Sequence, residues 1–255
     1  MKELILLALQ KSEVKSLVHI GGHIGQEINF YQSLNFDKVI YFEPVKEFAD
    51  EIRDKILHLA NFSLHQCALG NENSHKLIYI ANKGENDDSG STSLLEPRKS
   101  NISFGKTTIE VKKYSSFNYL NIDMAVIDTQ GYELEVLKGF ENKISTFKFL
   151  IVEFSNFEGY LNQTIQKDLN KFLILNNFSL VTQRKRVLKV FKNTQTGSYG
   201  DALYINNKLI NKKSIYMGRI KFLFLNNIFT DFWIKFTNFS FLKIKFKKLI
   251  NFLNY

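Results

Sequence analysis

Short apolar runs recur along this chain, and a stretch of helical period follows each: SLVHI (16–20), KVIYFEP (38–44), DMAVID (123–128) and FKFLIVEF (147–154). No other feature constrains the fold as much. Such runs suit strands buried on both faces. Helices between them then call for a mostly parallel sheet covered on both sides. The helical patterns are Gln26 to Leu34, Lys46 to Leu59, Tyr132 to Ile144 and Leu161 to Leu175, after a first helix in MKELILLALQ. FSLHQCAL (62–69) reads as a third strand and HKLIYI (75–80) as an added one. FSLVT, VLKVF and DALYIN read as closing strands. The polar stretch 81–97 reads as a long loop with two equal readings: a lid that closes over a site, with Ser91 and Ser93 as candidates to reach cofactor or acceptor, or a disordered surface loop.

At 255 residues and 44% hydrophobic, the chain can bury one sizeable core. Cys67 is the single cysteine. That excludes a disulfide framework and a cysteine-only metal site, and it fits a reducing cytoplasm. The N-terminal apolar stretch, Leu4 to Leu9, lacks a basic leader and reads as a helix rather than a signal peptide. No run approaches the ~20 residues that span a bilayer.

The glycines of LVHIGGHIGQ (17–26) follow a strand and precede a helix. They place backbone N–H groups at the carboxyl edge of the sheet, where ligands of such folds bind. The spacing GGxxG is not the GxGxxG fingerprint, so alone it supports only a tight corner. Glu43 closes the second strand 18 residues after Gly25, near the offset at which an acid receives ribose hydroxyls. Asp128 and Glu153 likewise end apolar strands, where a carboxylate is costly unless paired or used. Glu133 falls in the first turn of the following helix, where the dipole favours an anion. His19 and His23 are four apart, but a strand and turn do not align them as a helix would, and no third ligand stands nearby. They read as polar site residues, with no metal expected.

HIGGHIGQEINFYQSLNFDKVIYFEP, CALGN, SGSTSLLEP, IDTQGYELEVLKG, IVEF and GDALYI occur in the order and spacing of the FkbM-type methyltransferases. The chain resembles the branch with histidine in its first strand. The resemblance covers about 16–207. It implies a class I, Rossmann-like fold with a seven-stranded sheet that binds S-adenosylmethionine. It further implies that Gly21, Gly22 and Gly25, beside His19 and His23, line the methionine end. By the same resemblance Glu43 takes the ribose hydroxyls, Cys67 and Ala68 lie by the adenine, and Asp128 sits near the amino group and the transferred methyl. His19 replaces the more common aspartate, Val126 a lysine and Gln130 a glutamate.

Methyl transfer to a hydroxyl needs alignment and a base within hydrogen-bond reach. Asp128, Glu153 and His23 are the candidates, in that order, and the resemblance implies a sugar, glycan or other small polar acceptor. Two alternatives stand beside this reading. One is a nicotinamide oxidoreductase on the same fold, against which the missing GxGxxG counts. The other is a non-catalytic module that works through its tail.

Residues 1–210 are expected to form the cofactor-binding domain, and 211–255 a basic, aromatic helical extension. The net charge is +9, and 211–255 holds nine Lys or Arg against one acid, Asp231. Three uses fit this tail: packing on the body or a second copy, contact with an anionic membrane at the inner face, or nucleic-acid binding, the last being disfavoured.

Overall fold

In the computed structural model the described residues are 1–82, 88–98, 102–189 and 196–210. The chain divides into two units, Met1–Leu209 and Ile210–Tyr255. The helical tail expected over 211–255 lies outside the described residues, as does the end of the VLKVF strand.

The first unit is built on a seven-stranded sheet. Its strands are β1 (Ser16–Ile20), β2 (Lys38–Phe42), β3 (Phe62–His65), β7 (Met124–Ile127), β8 (Phe149–Ser155), β9 (Phe178–Lys189) and β10 (Thr196–Asn206). Their order is β3-β2-β1-β7-β8-β10-β9. β10 runs antiparallel to both its neighbours, and every other pairing is parallel. This is the α/β, Rossmann-like arrangement expected. β1, β2 and β7 bury nearly every residue because helices cover both faces.

On one face Val18, Ile20, Ile40, Phe42, Ala125 and Ile127 pack against Val136 and Leu137 of α4 (Glu133–Gly139) and Leu169 and Leu173 of α5 (Gln166–Leu175). The remaining helices are α1 (Lys2–Leu9), α2 (Ile28–Ser33) and α3 (Lys46–Ile56). α3 buries Phe48, Ala49, Ile52 and Ile56, one stripe at helical spacing.

Several boundaries differ from the sequence reading. FSLHQCAL is not one strand. β3 ends at His65, and β4 (Ala68–Leu69) joins β5 (Ser74–Ala81) and β6 (Phe104–Lys112) in a second sheet of order β4-β6-β5. β6 was not expected: in FGKTTIEVK only Ile109 and Val111 are buried, which leaves little hydrophobic signal. The helix expected from Gln26 starts at Ile28, after a turn in which Gly25 has φ +71°. The helix expected over Tyr132 to Ile144 ends at Gly139 and resumes as a 3₁₀ turn, Glu141–Thr146, with Glu141 at φ +51°. α5 begins at Gln166, not Leu161, and FSLVT is the start of a single long β9. The loop 81–97 holds a 3₁₀ turn, Asp88–Ser91, and an isolated bridge between Ser93 and Tyr79 of β5, while residues 83–87 lie outside the described ones.

Candidate active site

At the carboxyl edge, where β1 lies between β2 and β7 and chain order reverses, a cavity of about 290 Å³ opens. Its floor is the corner predicted from the glycines. Gly21 has φ +84°, and a Cβ there would stand 1.8 Å from the Asp128 carbonyl oxygen. Gly22 faces the Tyr41 ring, 2.7 Å from where its Cβ would be. Only glycine fits such a floor.

Glu43 forms one wall and is 4% exposed. One carboxyl oxygen accepts the His23 N–H at 2.8 Å, and the other accepts the Val45 N–H at 2.9 Å. Burial pushes its pKa up to about 8, against the pull of those two N–H groups. His23 sits in the turn at φ +47°, its Nδ1 2.8 Å from the Gln26 amide nitrogen and its ring edge-on to Phe48.

His19 is 2% exposed, and its Nδ1 lies 3.1 Å from the Tyr31 hydroxyl. Burial lowers its pKa to about 3, so the ring is neutral.

Asp128 forms the opposite wall. The Gln130 side-chain amide donates to Asp128 at 2.8 Å and to Glu153 at 2.9 Å, clamping the two carboxyl groups together. Burial raises the pKa of both, and of Glu153 far more, because the charge on Asp128 opposes its ionisation. Glu153 therefore keeps the proton and donates it towards the Asp128 carboxylate. A glutamate at 130 would add a third acid; Gln130 supplies donors instead. Below this pair Glu133 accepts from the Thr129 and Gly131 N–H groups at 3.1 and 2.9 Å and fixes the turn.

The roof comes from the strap around Gly90, Thr92, Ser93 and Leu94. Ser93 Oγ donates to the Gln130 carbonyl at 2.7 Å, and the Tyr160 hydroxyl to the Ser91 carbonyl at 2.8 Å.

The cavity thus brings together His19, Gly21, Gly22, His23, Glu43, Ala68, Ser93 and Asp128 among the predicted residues. It does not include four others. Gly25 shapes the turn against Ile28 and Ile52. Cys67 is buried in the core with its thiol pushed up to about 11. Ser91 touches Tyr160 through its carbonyl, and Glu153 stands behind Gln130. Sequence reasoning missed Glu27, Phe48, Ile78 and Leu94 as lining residues. Glu27 was findable, since it directly follows the glycine turn. Ile78 and Leu94 were not: the β5 pattern carries no ligand signal, and in the strap the serines rather than an apolar side chain drew the reading. Among the described residues no group of three or more His, Cys, Asp or Glu could hold a metal ion, and no helix is long and apolar enough to cross a membrane.

The family model described as the Methyltransferase FkbM domain matches residues 19–181. The chain belongs to the FkbM methyltransferase family. No curated protein matches this FkbM chain in sequence. Among solved structures it is similar to the methyltransferase FkbM from Methylobacillus flagellatus KT, at 15% identity and a TM-score of 0.47, over 75% of this chain but only 43% of that one. It is also similar to magnesium protoporphyrin IX methyltransferase from Synechocystis PCC 6803, solved with bound S-adenosylmethionine, at 12% identity over 80% and 76% of the two chains, TM-score 0.47. A third is TrmK of M. capricolum in complex with S-adenosylhomocysteine, at 11% identity over 99% and 93%, TM-score 0.42.

Proposed function

We propose that this FkbM methyltransferase binds S-adenosylmethionine in the cavity between Glu43 and Asp128 and methylates a hydroxyl of a small polar acceptor, a sugar or glycan. Glu43 carries the reading. Each of its buried oxygens accepts one main-chain N–H and keeps a further lone pair at the cavity wall, a donor–acceptor set that suits the two hydroxyls of a ribose. When bound, S-adenosylmethionine supplies the methyl group.

The chain's own residues do the rest. The Gly21–Gly22 floor lets the ligand lie against the backbone. Ile78 and Leu94 add apolar side chains to the cavity lining. Asp128, with its pKa raised, takes the proton of an acceptor hydroxyl, and Gln130 with the protonated Glu153 holds it in position. Glu153 is a positioning residue here, and His23 a wall residue rather than the base.

Titration calorimetry with S-adenosylhomocysteine tests the reading. Micromolar binding is expected, with Glu43→Ala weakening it at least tenfold. No binding to folded protein overturns it. A ribose-binding acid would also suit a nicotinamide cofactor, but the GGxxG corner lacks the GxGxxG spacing of dinucleotide sites.

For residues 211–255 we propose peripheral contact with an anionic membrane surface. The support is their mixture of lysines with Phe, Tyr and Trp233, whose cations suit lipid head groups and whose rings suit the interface.

A further inference from the structure

In this cavity the end of β1 carries no acid. His19 occupies it, neutral, buried and placed against the Tyr31 hydroxyl. A cationic group on a ligand must therefore find its carboxylates elsewhere. Glu27 lines the same cavity as Asp128. It stands at the N-terminal boundary of α2, makes no capping hydrogen bond into the helix, and accepts its own main-chain N–H, which leaves further lone pairs for a ligand. No lysine or arginine forms an ion pair with it among the described residues, and Lys2 and the N-terminus act on it only at a distance. Burial raises the pKa of Glu27, and the charge on Asp128, which lines the same cavity, opposes its ionisation further. Repulsion of this kind is relieved by a cation placed between them.

We propose that Glu27 receives the α-ammonium group of the cofactor's amino-acid end, together with Asp128, and so supplies the carboxylate that His19 does not. The assignment rests on the cofactor reading above. It places the cationic end of the ligand between α2 and β7, and the ribose at Glu43, on opposite sides of the glycine floor.

The test compares S-adenosylhomocysteine with its analogue in which hydrogen replaces the α-amino group, by competition binding to the full chain. The wild type is expected to prefer the natural ligand by tenfold or more. Glu27→Gln is expected to lose about tenfold in affinity for S-adenosylhomocysteine and almost none for the deaminated analogue, so the preference collapses. Glu43→Gln is expected to weaken both ligands alike and keep the preference. Thermal melting without ligand checks that each variant is folded. If Glu27→Gln keeps the wild-type preference, or weakens both ligands equally, the assignment is overturned while the cofactor reading stands. If the folded wild type binds neither ligand, both are overturned.

Discussion

Burial drives the Glu43 pKa up to about 8 although two main-chain N–H groups bind its oxygens. Ligand hydroxyls donate to the ionised form, so binding pulls the proton off. At pH 7 proton release is expected on binding, with affinity rising as pH climbs through about 8. Calorimetry in two buffers of different ionisation enthalpy measures this, and Glu43→Gln should abolish that share of the release. Asp128→Asn removes the proton acceptor while leaving the volume unchanged. The methyl-transfer rate is expected to fall 10²- to 10⁴-fold, with a smaller loss in cofactor affinity, read by single-turnover assays. His19 titrates in the opposite sense. Its folded pKa, about 3, lies below its ordinary 6.5, so its contribution to stability is present above pH 6.5 and is lost as pH falls towards 3. His19→Gln is expected to flatten that slope in urea unfolding measured from pH 7 to 4.

α4 meets the second sheet backbone to backbone. A Cβ on Gly139 would lie 1.8 Å from the Gly70 carbonyl oxygen. Helix propensity alone says that Gly139→Ala should stabilise by about 1 kcal/mol. The clash is larger, because carbonyl and helix must separate. A net loss of about 2–4 kcal/mol is expected, lowering Tm by roughly 4–16 °C at this chain length. At this scale the sequence was most informative where one residue type could fill one role. The short, mostly apolar runs of β1, β2 and β7 were legible because burial on both faces leaves no other pattern, and the glycines at 21 and 22 because nothing larger fits beneath them. β6 was hidden because only two of its residues, Ile109 and Val111, are buried and its pairing with β5 is set by tertiary contact. The break after β3 was hidden too, since an apolar run does not say which sheet it enters. In the site, acids at strand ends stood out. The strap residue Leu94 and the clamp by Gln130 did not, because their roles arise only when distant segments meet.

For the whole molecule, net charge sits in the last 45 residues, where lysines alternate with aromatics. Co-sedimentation with vesicles containing anionic lipid is expected for the full chain at low salt. It should be lost at high salt or when residues 211–255 are removed. Retention by RNA instead of vesicles would contradict the membrane proposal. The cavity itself lies where β1 pairs with β7, and that seam is closed by contacts such as the Lys15 N–H to Asp123, across 108 positions of sequence. Local segments cannot assemble such a wall, because loop closure over that span must come first. In refolding, ligand-binding capacity should therefore appear only with the slow global phase and never with early helix formation. A nascent chain gains no help from cofactor until most of the domain has emerged from the ribosome.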